Sequence, residues 1–160
     1  MIHRTLATIA CTVALYAAAQ ATPAANYTDL WYNPSESGWG LSITQHAGTN
    51  QAYAVWYTYD PRETGNTGGN KPLWVVMTGG TWTSPTTITG TAYVANGMPF
   101  NQAGSNLRIT PVGTFTVSFT TASTAQFSYN ISAPAGLAPS DPAYNLPPMS
   151  GTKNVQRQSF

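Results

Sequence analysis

Beyond residue 21, apolar residues recur at every second position, and helical spacing is absent. In residues 38–46, Trp39, Leu41 and Ile43 alternate with Ser42, Thr44 and His46. In residues 51–60, Tyr53, Val55, Tyr57 and Tyr59 share one face while Ala54 and Trp56 share the other. In residues 72–78, Leu73, Val75 and Met77 alternate with Trp74 and Val76. Two is the side-chain period of a β-strand. Further strands are predicted at 27–32, 81–84, 87–95, 107–110, 114–120, 125–131 and 154–158, with Gly79-Gly80 breaking the fourth strand. Many short strands at close spacing imply an all-β domain, an antiparallel up-and-down meander forming a barrel or a barrel-like sandwich. Strands 51–60 and 72–78 are apolar on both faces, so one face is core and the other meets protein or ligand.

The first 21 residues are of another kind. His3 and Arg4 precede the uncharged run Thr5–Ala19, and Ala19-Gln20-Ala21 has a small-x-small cleavage pattern. This reads as a secretory signal peptide, residues 1–21, followed by a single domain at 22–160. The apolar run is shorter than the ~20 residues of a membrane span. Cys11, the only cysteine, leaves with the leader, and Thr8 three positions earlier argues against lipidation. The remaining domain has no disulfide or thiolate chemistry.

Charged residues make up 7% of the chain, six basic against five acidic. Without Arg4 the two signs balance, which lacks the electrostatic footprint of a nucleic-acid or anionic-membrane binder. An outer-membrane barrel is disfavoured because Gln156 and Gln158 share the register of Phe160 and would face lipid.

Catalytic chemistry is poorly supplied. Past the leader there is one histidine, His46, too few ligands for zinc. Asp60, Glu63, Asn66 and Asn70 offer oxygens for calcium but fit no defined loop spacing. No Gly-x-Ser-x-Gly elbow is present, and Ser35-Glu36-Ser37 is turn chemistry. Asp29, Glu36, Asp60, Glu63 and Asp141 are all the acids, with Glu36 and Asp60 the one pair placed to converge for glycoside hydrolysis. The expectation is no catalytic residue, no metal and no cofactor.

Aromatic residues are the better lead. Trp31, Trp39, Trp56, Trp74 and Trp82 all fall in the first half of the domain. The candidate ligand-binding residues are Trp31, Glu36, Trp39, Tyr53, Trp56, Tyr57, Asp60 and Trp74, with Tyr53, Trp56, Tyr57 and Trp74 as an exposed platform. Core packing competes for the same rings. Leu30-Trp31 recurs as Leu73-Trp74, and Trp39 as Trp82, each 43 positions on, a faint echo of two similar hairpins.

The run Leu30–His46, LWYNPSESGWGLSITQH, reads as a hairpin. Pro34 suits the second position of a tight turn, Gly38 a positive φ, and Trp31 and Trp39 are placed to pair across the strands. With Trp56-Tyr57-Thr58-Tyr59-Asp60 and Pro72-Leu73-Trp74, this run resembles secreted proteobacterial β-rich domains with the signature W-x-N-P-x-E-S-G-W-G, then W-[FY]-x-Y-D and P-L-W. The resemblance spans most of residues 29–160 and implies a bacterial, exported, β-rich domain of no settled activity. The long polar hairpin 60–71 and the Pro-rich excursion 132–151 depart from it. Thr89–Tyr93 also resembles, over five residues, a strand of avidin-type biotin-binding barrels.

Together these features predict a secreted, non-catalytic binding module for an extracellular glycan or protein, using strand aromatics and the two long loops. A structural or assembly domain, with homo-oligomerisation open, is the alternative. A small-ligand-binding barrel and a glycan hydrolase rank below both.

Overall fold

The computed structural model describes residues 21–63, 71–104 and 107–159. Among these, eight strands follow in order: β1 (Asp29–Tyr32), β2 (Gly40–Gln45), β3 (Gln51–Tyr59), β4 (Pro72–Ser84), β5 (Thr87–Asn96), β6 (Arg108–Phe119), β7 (Thr124–Ile131) and β8 (Met149–Arg157). Each strand pairs antiparallel with the next, and β8 returns to β1 to close a barrel. Closure removes the exposed edges that an open meander would leave. The leader read at residues 1–20 lies outside the described residues.

The interior is a packed apolar core. Leu41, Ile43, Ala54, Val75, Met77, Ile88, Val94, Val117, Phe115 and Phe127 point inward and are almost wholly shielded. Two aromatic clusters occupy its ends. Near the base, Tyr27 stacks on Phe119 at 3.9 Å, with Trp31 and Trp82 at 5.1 and 5.8 Å from the same ring. Near the other end, Phe127 meets Trp56 at 5.2 Å and Trp39 at 6.0 Å. Phe115 joins Phe127 at 5.7 Å and makes the core continuous. The outward residues of β7 and β8 include Gln126, Asn130, Ser150, Thr152 and Asn154, a solvated wall with no apolar band. On these two strands the apolar residues face inward and the polar ones outward, whereas β3 and β4 carry Tyr53, Tyr57, Tyr59 and Trp74 on their outer face.

Two expected strand breaks are β-bulges. Gly79-Gly80 does not end β4, which runs on to Ser84. Odd residues Leu73, Val75 and Met77 face the core first, and even residues Gly80 and Trp82 do so after the register shift. The segments 107–110 and 114–120 are likewise one strand, β6, with Thr110 and Val112 buried before the shift and Phe115, Val117 and Phe119 after it. One extra residue in one strand swaps the faces while the ladder continues. Period-two counting sees only the change of phase.

β8 starts at Met149, not at 154, so the Pro-rich connection is residues 132–148. Its Ser, Gly, Thr and Asn residues carry little alternation because they face solvent. The expected Trp31–Trp39 pairing does not form: Trp31 lies opposite Leu41 and packs at the base, whereas Trp39 packs at the other end. The 43-residue echo has no structural counterpart, since Trp31 faces the core while Trp74 faces solvent.

Connection length differs sharply between the two barrel ends. Residues 46–50, 85–86 and 120–123 turn tightly at the base. The chain leaves β1, β3, β5 and β7 at the opposite end, where the connections 33–39 and 132–148 are longer. Binding residues concentrate on loops carried by a rigid scaffold, so this loop end is where a site is to be sought.

Candidate functional site

The loop 33–39 is built by its own turn chemistry. The Glu36 N–H donates to the Asn33 carbonyl at 3.1 Å with Pro34 in the second position, and the Ser35 N–H donates to Asn33 Oδ1 at 2.9 Å. Gly38 has φ +89°, and an added Cβ would come 3.2 Å from the Tyr59 ring. The loop thus delivers Glu36 and Trp39 to fixed positions. Trp39 Nε1 donates to Glu36 Oε2 at 3.1 Å, and Lys153 Nζ donates to Oε1 at 2.9 Å and Oε2 at 3.0 Å.

Lys153 is available because β1 is short. The β1–β8 ladder stops at Tyr32–Gln156, so the first part of β8 has no strand beside it there. The loop spans that gap and leaves a cleft of about 150 Å³, lined by Glu36, Trp39, Trp56, Thr58, Phe127, Tyr129 and Lys153. Tyr129 stands 4.8 Å from Trp56. Its hydroxyl lies 2.9 Å from where a Cβ on Gly151 would sit, so glycine there makes room for the ring. The Lys153 hydrogen bond holds the Glu36 carboxyl below its ordinary pKa, against a smaller opposing effect of desolvation. The same bond holds the Lys153 ammonium above its own. The pair therefore stays ionised from below the ordinary Glu range to above the ordinary Lys range.

Asp60 anchors a second feature. Its side chain is 1% exposed and is gripped through both oxygens by Arg62, from Nε at 2.8 Å and from the terminal nitrogen at 2.7 Å. The other Arg62 terminal nitrogen donates to the carbonyls of Pro142 and Tyr144 at 2.9 and 2.8 Å. Asp141 accepts from Thr110 Oγ1 at 2.8 Å and from the Ala143 N–H at 2.9 Å. The Pro-rich connection is thereby pinned to β6 and to the start of the 60–71 connection. Between them runs a groove of about 430 Å³ whose walls include Lys71, Trp74, Asn96, Ser140 and Tyr144.

Arg62 hydrogen bonding, direct charge attraction and Lys71 outweigh desolvation and hold the Asp60 carboxyl below its ordinary pKa. A depressed folded-state pKa gives stability that is complete above the unfolded Asp value of about 3.9 and lost as pH falls through the folded one. Asp60→Asn is expected to cost about 3 kcal/mol at neutral pH, since Arg62 is left without its carboxylate. Urea midpoints measured from pH 7 to pH 2 check this: the variant should lose part of the acid sensitivity of the wild type.

The eight sequence candidates fall into four places. Glu36, Trp39 and Trp56 meet in the cleft, while Asp60 and Trp74 belong to the groove. Tyr53 and Tyr57 lie on the outer barrel face at 44% and 40% exposure, with the Tyr57 ring edge-on to Trp74 at 5.9 Å. Trp31 is core, 1% exposed beneath the Arg157 guanidinium. The expected platform is corrected at one member. Trp56 is 7% exposed and points inward because it alternates with Tyr57, and Tyr59 stands outside in its place. Glu36 and Asp60 do not pair, each being held by its own cation. His46 sits in the base turn with Thr49 on its Nδ1. Of the oxygen set proposed for calcium, Asn66 and Asn70 lie outside the described residues.

Lys153, Thr58, Phe127, Tyr129 and Arg62 carry no signal of a site in the sequence, and Asp141 stands there only as one of the five acids. The alternation of Ala125, Phe127 and Tyr129 signals an inward face, but nothing in one chain aligns it with Trp56. No family model, curated protein or solved structure matches this chain.

Proposed function

We propose that this chain is a secreted, non-catalytic binding module that holds an extracellular glycan at the loop end of the barrel. One observation carries the reading: Trp74, 61% exposed, stands in the wall of a groove framed by both long connections. An exposed indole offers an apolar face, and Lys71, Asn96, Ser140 and Asp141 beside it offer donors and acceptors. Flat apolar contact combined with rim hydrogen bonds suits a pyranose ring. The near-balance of charge favours a neutral ligand over a polyanion. Export is supported by the leader-like residues 1–21 and by the resemblance to secreted domains bearing the same tryptophan signature.

Affinity electrophoresis in gels containing soluble polysaccharides tests the proposal. The protein is expected to be retarded by at least one neutral polysaccharide, and Trp74→Ala to lose about 2 kcal/mol of that binding. Unchanged mobility across a broad neutral panel would sink it. Sedimentation separates the assembly alternative, which requires self-association at high concentration that Trp74→Ala abolishes.

A further inference from the structure

The cleft beside β8 has a property that packing does not explain. Trp56 Nε1 is closed to solvent and, among the described residues, meets no acceptor. A buried donor left unpaired is costly, and natural cores seldom tolerate one without a ligand or water to serve it. Trp39, the other indole of the cleft, is fully served by Glu36. Trp56, the residue that carries this orphan, lines an aromatic cleft whose rim holds a carboxylate and an ammonium.

We propose that this cleft binds a single neutral hydroxylated ring, one sugar residue, independently of the loop groove. The ligand class follows from the charges. A cation entering the cleft would meet Lys153, and an anion would meet Glu36. A neutral ring with adjacent hydroxyls satisfies both, donating to the carboxylate and accepting from the ammonium, which has three N–H donors. Its C–H face lies against the rings of Trp39, Trp56 and Tyr129, and a small turn of the Trp56 ring on binding brings its N–H, closed to solvent in the free protein, to one of the ligand's oxygens. The volume, about 150 Å³, suits one small ring and not a chain. Charge-assisted hydrogen bonds at the rim give discrimination among hydroxyl configurations.

The indole N–H signals of the whole protein in a ¹⁵N-correlated NMR spectrum provide the test. Titration uses glucose, galactose, mannose and N-acetylglucosamine, with tetramethylammonium and benzoate as charged counterparts. One of the sugars is expected to move the Trp56 signal downfield in a saturable way, as that N–H gains an acceptor. Lys153→Met is expected to weaken the response about tenfold, and Lys153→Arg to restore part of it. Trp74→Ala should leave it unchanged, so failure of the groove reading and failure of this one are told apart. A Trp56 signal that stays fixed for all four sugars overturns the inference. A response to either charged compound, or one that is indifferent to Lys153→Met in a folded variant, does so too. Should Lys153→Met not fold, the wild-type titration decides alone.

Discussion

Gly113→Ala is expected to destabilise the barrel by about 4 kcal/mol, enough to leave much of the protein unfolded. Gly113 has φ +139°, where a side chain is strained, and an added Cβ would lie 2.0 Å from the Asn130 carbonyl oxygen. That oxygen belongs to the β7 backbone, so no side-chain rotation relieves the overlap. The ladder between β6 and β7 must part, or the bulge must be lost. Losing the bulge would put Phe115, Val117 and Phe119 on the solvent side, because a one-residue slip exchanges the faces. Urea denaturation followed by tryptophan fluorescence gives the measurement. Gly79→Ala is the control: an added Cβ there meets nothing within 4 Å, and a change within about 0.5 kcal/mol is expected. Equal effects of the two substitutions would show that the bulge does not set the register.

Phe127→Ala is expected to cost about 4 kcal/mol and lower Tm by roughly 10–15 °C. Phe127 is fully buried and touches the rings of Trp39, Trp56, Phe115 and Tyr129. Its removal takes away the contact between the mid-barrel core and the loop-end cluster. The barrel wall is hydrogen-bonded all round and collapses poorly into the space, so the cavity cost adds to the lost transfer energy. Phe127→Leu keeps most of the volume and is expected to cost about 1.5 kcal/mol. Calorimetry of both variants distinguishes the two contributions. A loss under 1 kcal/mol for the alanine variant, on the scale of an ordinary surface change, would mean the two clusters are energetically independent. The same substitution removes part of the cleft wall, so any ligand response seen in the wild type should fall with it.

The alternation of residues 39–43, 51–59 and 73–77 was enough to place β2, β3 and the first half of β4, since each strand has one face that water must not reach. The turn at Asn33–Glu36 and the positive φ of Gly38 were likewise legible, because proline and glycine act locally. Glu36 and Trp39 share one short loop, so their nearness needed no long-range information. Lys153 reaches Glu36 across 117 positions, and only closure of β8 onto β1 brings it there. Arg62 and Asp60 are near neighbours in sequence, but the carbonyls of Pro142 and Tyr144 that complete their site lie far along the chain.

Composition and period alone determined that this chain makes strands and that their apolar faces form one core. These are local or additive properties, readable one residue at a time. The tertiary structure decided which tryptophans are sealed and which are bare, where the phase of β4 and β6 reverses, and which cation meets which carboxylate. Those depend on strand order and register around a closed ring, quantities set by the simultaneous packing of all eight strands and carried by no single segment.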